Sequence, residues 1–326
     1  GTPPFWTYRR VHDGKLLLGG NDVALINWGS NDYHGGNIID ADPADRERYL
    51  LAAKNLSLGF LYWLQTECPR DDGGVGYPEL RLRTDLTNTP DGLCQYPYIR
   101  ESRRIVPLQR IIETDISADH QPGARARYVA DSVGIGWYPM ELHSCVGNPD
   151  VSMYAPTRPF QIPLGALIPQ TTRNLIAGCK NIGTTHLTNG AYRLHPTEWA
   201  IGAAAGMLAA FCVEQGTAPQ AVHADGDQVR ALQRRLVGQG CPIFWAVDVP
   251  IEAEPFAMTQ LLGAWRAIKP DSARWHRLDV QPEAPLGDDV DLDRVRAIAA
   301  WLGHARVAPI EPNMTWAALC DRLVKP

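Results

Sequence analysis

The sequence is most restrictive in what it lacks. It has no Cys-x-x-Cys pair, no Gly-x-Gly-x-x-Gly turn, no basic stripe and no apolar run approaching the ~18 residues that span a bilayer. The 7 cysteines, Cys68, Cys94, Cys145, Cys179, Cys212, Cys241 and Cys320, are scattered, odd in number and not spaced with histidine as metal ligands are. That argues against a disulfide scaffold or a zinc module and for small buried thiols. A net charge of −5 and a pI near 6.0 argue against a nucleic-acid partner. The densest cationic cluster, Arg100, Arg103 and Arg104, is interrupted by Glu101.

What is present is a chain of 326 residues, 45% hydrophobic, long enough for about two domains with a sizeable core. Alternating polar and apolar residues between Thr7 and Ile39, as in Lys15–Leu18 and Val23–Trp28, predict strands of an antiparallel sheet. Asp42-Pro43 predicts a helix start. Tyr49, Leu50, Ala53, Leu56, Leu58, Phe60, Leu61 and Leu64 continue at helical spacing until Cys68-Pro69 ends it. Ser102–Ile116 and Arg125–Trp137 read as strands, Leu175–Gly178 as a short buried strand, and Pro196–Gln215 as a helix. From Val222 onward, helical periodicity alternates with proline-rich turns, and the segments at Pro255–Gly263, Leu292–Ile298 and Met314–Arg322 weakly resemble S-layer-homology helical hairpins without their repeat. The division expected is 1–155 as a substrate-binding or cap region, 156–216 as a second segment, and 217–326 as a helical appendage packed on the rest.

The stretch from Asn174 to Gly206 is the most informative. It runs from an apolar segment through a loop to a helix whose first turn is set by Pro196. Such a helix presents unpaired backbone N–H groups and the positive end of its dipole. Gly202, Ala203, Ala204, Ala205 and Gly206 leave one region of that helix almost bare, so another backbone or a flat ligand can approach it closely. The same composition is that of a tightly packed core helix.

This block resembles the C-terminal FAD-contacting segment of the FAD-dependent oxidoreductase family with a glutathione-reductase-like fold. Ile26–His34, Pro97–Ile105, Asp131–Pro139 with His143, and Ile162–Pro169 add further resemblances in the order the family shows them. The resemblance implies an α/β fold of α+β character, an incomplete glutathione-reductase-like FAD fold with an antiparallel substrate-binding sheet and a helical C-terminal tail. It implies FAD as cofactor, held by Gly178, Cys179, Asn181, Arg193, His195, Pro196, Thr197 and Gly202, and hydride transfer from a small-molecule substrate to the flavin. Because the pyrophosphate-binding glycine turn is missing, the expectation is a C-terminal portion, or one half of a split enzyme, that works with an upstream or partner FAD-binding region.

A flavin oxidoreductase needs an orienting donor and often a base. Imidazole suits that task near neutral pH. His143, which by resemblance lies on the substrate side of the flavin, is the first candidate base and His34 the second; His186 and His195 also qualify by residue type. Glu141 and His143 share a face if their strand continues. Asn31, Asp32, Tyr33 and His34 beside Trp28 form a loop suited to hydrogen bonding and stacking with a sugar, which makes Asn31 and Tyr33 candidate substrate contacts and a carbohydrate a candidate substrate. Arg100 and Arg104 match the family's Arg-Glu-x-Arg-Arg pattern and are candidate substrate contacts, with Glu101 and Arg104 expected to pair internally. Arg193 suits a flavin carbonyl, a phosphate or a structural carboxylate. Two rival readings are a non-catalytic glycan-binding or scaffolding module and a metal-dependent hydrolase using Asp32, His34 and His143, although no third ligand completes a metal site by spacing.

Overall fold

The computed structural model describes residues 9–16, 20–148, 152–304, 310–311 and 313–324. The chain forms two compact units. One takes in Gly1–Ile99 and His143–Ser152, the other Arg100–Leu142 and Met153–Pro326. Helices and small antiparallel sheets give it mixed α/β character.

In the first unit, β1 (Arg10–His12) pairs antiparallel with β2 (Val23–Ala24). The expected strand at Lys15–Leu18 lies partly outside the described residues, and the rest of the stretch to Ile39 is turns and loop. α1 (Pro43–Thr66) follows the sequence signals: Asp42 accepts hydrogen bonds from the N–H groups of Ala44 and Asp45, Pro43 occupies the first turn, and the helix stops before Cys68-Pro69. Of its side chains only Leu64 is fully buried. A four-residue helix, α2 (Thr84–Thr87), ends at Asn88 in the left-handed region.

The second unit holds the main core. The expected strand at Ser102–Ile116 is not formed. Pro107 and Ile111 make only isolated bridges, and Glu113–Ile116 is a short helix, α3, so an apolar run bounded by proline reads as strand while lying as buried irregular chain. From Arg125–Trp137 only β3 (Ser132–Gly136) is a strand. β4 (Met140–Leu142) pairs with β5 (Met153–Ala155), and β3 pairs with β6 (Phe160–Pro163). β4 ends at Leu142, so the shared face expected for Glu141 and His143 does not form.

Two helices follow in quick succession, α4 (His186–Tyr192) and α5 (His195–Gln215). α5 lays Ile201, Ala204 and Leu208 into the core and contacts β3. That contact depends on Gly136, where a Cβ atom would stand 2.5 Å from the Phe160 ring and 2.7 Å from Thr197 Oγ1. By length and composition α5 is apolar enough to cross a membrane, which corrects the expectation that no segment approaches that limit; 39% of its apolar window is buried within the protein.

The segment beyond residue 217 contributes α6 (Pro219–Ala224), α7 (Gly226–Gly238), α8 (Phe256–Ala264), α9 (Leu292–Trp301) and α10 (Trp316–Val324). These helices share one apolar cluster with β3, β6 and α5 rather than forming a separate one. Buried amides stitch them in: Gln233 Nε2 donates to the carbonyls of Ala130 and Ser132, and Gln161 Nε2 and Ser132 Oγ both donate to Ile243 O. Arg125 reaches the carbonyls of Trp245, Trp275 and Arg277 while stacking on Phe244, and its burial lowers its pKa to about 10. A division at 217 therefore runs through a continuous core, because the polar ties that cross it are themselves buried.

Candidate functional site

The segment from Asn174 to Gly206 is built as a braced loop between two helices. Asn174 adopts a left-handed backbone, φ 54°, and no strand forms at Leu175–Gly178. Ala177 is held there, its N–H donating to Leu167 O at 2.9 Å. The loop Gly178–Thr185 is then fixed from below. Ile105 N–H donates to Asn181 O at 3.0 Å and Gly183 N–H to Ala166 O at 2.8 Å.

α4 secures the loop's far end. Thr185 caps the helix by accepting from Thr188 N–H, and its hydroxyl also donates to Glu113. Asn189, 1% exposed, sends its amide N–H groups to Lys180 O at 2.7 Å and Thr184 Oγ1 at 3.1 Å. None of Glu113, Thr185, Thr188 and Asn189 stands out in the sequence as functional, although Thr185-x-x-Thr188 is a legible capping pattern.

Arg193 closes α4, and its guanidinium is spent inside the unit. Nε stands 2.7 Å from Glu101 Oε1, and Nη2 donates to Glu141 O at 3.1 Å, with the side chain 6% exposed. Of the three roles open to Arg193, a structural carboxylate is the one occupied here. Glu101 thus pairs closely with Arg193, while its charge also acts on Arg104, whose Nη1 donates to Ser102 O. Burial draws the Arg104 pKa down, and Arg100 is half-buried.

α5 begins with His195 and Pro196, both exposed, followed by the 2% exposed Thr197. Leu194 supplies no side-chain cap, and among the described residues the N–H groups of His195 and Thr197 meet no acceptor. Glu198 lies in the same first turn and accepts from Cys179 Sγ at 3.0 Å. Burial, followed by this carboxylate, raises the Cys179 thiol pKa, so Cys179 is held as a protonated donor. Glu198 is the one residue at this helix start that sequence reading passed over. It partly offsets the positive helix end that makes the site attractive to anions.

Gly202 faces the loop, where a Cβ atom would lie 3.5 Å from Gly178 O. Beside it Trp199, Gly202 and Ala203 line a shallow, open groove of about 320 Å³, with Trp199 82% exposed. The structure thus brings Gly178, Cys179, Thr197, Glu198 and Gly202 into one region, while the Arg193 guanidinium is committed to Glu101 and Glu141 and the Asn181 backbone carbonyl to Ile105.

In the first unit the loop expected to meet substrate is a 3-10 turn over Gly29–Asn31. Asn31 Oδ1 accepts from Trp28 N–H at 2.7 Å, so this amide braces its own turn. Tyr33 packs on Tyr49 with ring centroids 6.5 Å apart. Asp32 Oδ2 lies 3.8 Å from His143 Nδ1, whereas the half-buried His34 makes no ion pair among the described residues. His186 is exposed at the first position of α4. No three His, Cys, Asp or Glu side chains are grouped to hold a metal among the described residues.

A family model described as FAD dependent oxidoreductase matches residues 5–236. No curated protein and no solved structure matches the chain. The matched region takes in the first-unit loop, the β3 and β6 strands, and the whole loop-and-helix segment with its uncapped helix start. The chain belongs to the FAD dependent oxidoreductase family.

Proposed function

We propose that the chain is the substrate-binding and C-terminal FAD-contacting portion of a flavin oxidoreductase with a glutathione-reductase-like FAD fold. The observation that carries this reading is the family match over 5–236, which includes a helix start with unsatisfied N–H groups beside a glycine-bearing loop. These residues fit a flavin in two respects. The donors of His195 and Thr197 suit a ring carbonyl, and the bare face at Gly202 and Ala203 beside Trp199 suits a flat apolar ring.

FAD, when bound, accepts a hydride from substrate carbon. Gly178, Thr197, Gly202 and the start of α5 are the residues that would hold the ring. Arg193 acts at one remove, fixing the junction of α4 and α5 through Glu101 and the Glu141 carbonyl. Glu198, its charge tethered to Cys179, opposes a second negative charge at the helix start, which favours the ring over the pyrophosphate there. The pyrophosphate requires a parallel βαβ unit with a glycine turn. Among the described residues every named strand pair is antiparallel, and an upstream or partner FAD-binding region is the proposed source of that unit. His143 is the proposed proton acceptor, and the substrate is a small molecule bearing hydroxyl groups, carbohydrates included.

The test is to co-express the chain with the coding region immediately upstream and record the visible spectrum of the purified product. Bands near roughly 370 and 450 nm are expected of bound flavin. A well-folded, colourless product would remove the oxidoreductase reading.

A further inference from the structure

Gln220 and His223 lie one turn apart on α6, the six-residue helix that opens the tail. Pro219 and Val222 are the residues this helix buries, so its two polar side chains are left to meet the segment at 164–172.

Gln220 spends its amide donor on one bend of that segment. Nε2 donates to Pro169 O at 3.1 Å and to Thr172 O at 3.2 Å. An amide nitrogen carries two hydrogens, so the donor is saturated and ties together two carbonyls on either side of the bend. Inside the bend, Gln170 N–H donates to Val106 O at 2.9 Å. His223 makes a second seat. Its Nε2 stands 3.4 Å from Asp131 Oδ2, the oxygen that accepts from Gly165 N–H at 2.9 Å. A Cβ atom at Gly165 would meet that ring nitrogen at 2.7 Å, so glycine is what lets the ring settle there.

The segment at 164–172 in turn carries the one proposed to contact flavin. Gly183 N–H donates to Ala166 O at 2.8 Å, and Ala177 N–H to Leu167 O at 2.9 Å. Between the bend and Ala177, residues 173–175 are exposed, Asn174 is left-handed and no strand forms. With no ladder to guide this stretch, its starting point and direction are set by the bend that Gln220 closes.

We propose that Gln220 is a positioning residue for the flavin-contacting segment: its amide fixes the bend at 169–172 and, through it, the anchoring of Ala177 and Gly183. The first helix of the tail thereby takes part in the site from outside it. The inference rests on the reading of Gly178–Thr185 as a flavin contact and goes beyond it in naming what holds that loop in place.

The experiment is amide hydrogen exchange of the full chain by NMR, without flavin, in the wild type, Gln220→Met and Gln220→Glu. Methionine keeps the length of the side chain but has no donor, and an ionised glutamate keeps the shape but only accepts. Both variants are expected to speed exchange at Ala177 and Gly183 by about tenfold, the effect of removing an ordinary hydrogen bond that opposes local opening. Val247 and Ala267, whose N–H groups donate to Leu278 O and Leu262 O elsewhere in the second unit, are expected to exchange as in the wild type. Faster exchange at all four amides alike would make Gln220 a contributor to general stability and overturn the proposal. Unchanged exchange at Ala177 and Gly183 in either folded variant overturns it as well. Should one variant fail to fold, Gln220→Ala takes its place, with the same outcomes deciding. Flavin plays no part in this readout, so a colourless co-expressed product removes the oxidoreductase reading without touching the exchange pattern, and a contrary pattern leaves the flavin reading standing.

Discussion

Of the buried apolar side chains among the described residues, Leu64 and Cys68 belong to the first unit and all the others to the second. The second unit stacks Phe160 on Tyr192 at 4.2 Å and runs one apolar cluster from Ile111 to Leu323. In the first unit, α1 leaves Leu51 59%, Tyr62 62% and Trp63 38% exposed. The difference is one of what holds each unit together. Burial of apolar area dominates in the second, whereas caps, turns and surface ion pairs such as Lys54 with Asp91 are prominent in the first. The proposed cofactor segment thus lies in the unit that holds the buried apolar cluster, and the proposed base in the other.

The contrast is broken most directly at Tyr192. Tyr192→Ala removes the ring stacked on Phe160 and a hydrogen bond to Gln161 O, and is expected to cost about 4 kcal/mol in denaturant unfolding of the second unit. A cost under about 1 kcal/mol would mean that the core tolerates cavities and that burial is not its main support. Glu101→Gln comes next, since it leaves Arg193 charged and buried without its carboxylate. A loss of about 3 kcal/mol is expected, read in the same way.

The first unit responds less. Asp42→Ala removes the acceptor for two N–H groups at the start of α1 and is expected to destabilise modestly, seen as a lower unfolding midpoint and reduced helical circular dichroism. Leu51→Ala, at an exposed position of the same helix, is expected to change stability by less than about 0.5 kcal/mol. A large loss there would reveal that α1 buries a face in solution and would erase the contrast between the units.

The sequence made α1 and α5 readable because cap, proline and period agree. Asp42-Pro43 and the leucine spacing place α1 at the residues observed, and Pro196 places α5 within one residue of its start. The strands were less legible. Residues 102–116 and 175–178 are apolar enough for strands, but Pro107 and the left-handed Asn174 interrupt them, and buried irregular chain carries the same composition. The loop from Gly178 was visible as a unit. Its supports were not, because Glu113, Glu101 and Glu141 reach it from far along the chain, and pairings across such distances leave no local pattern. The same holds for Asp32, whose neighbour His143 becomes apparent only when the chain returns to the first unit. The tail's periodicity predicted helices correctly, yet gave no sign that buried glutamines and Arg125 bind it into the core.

The central claim is that the face of α5 at Ala203 meets the flavin ring. Ala203 lines the open groove rather than the buried core, so Ala203→Trp fills that space while leaving the packing of Ile201 and Ala204 in place. The decisive measurement is the flavin-to-protein ratio of the chain co-purified with its upstream region, compared between wild type and Ala203→Trp. The account predicts stoichiometric flavin in the wild type and its loss from an equally well-folded variant. Flavin retained in full by Ala203→Trp would place the cofactor elsewhere and contradict it.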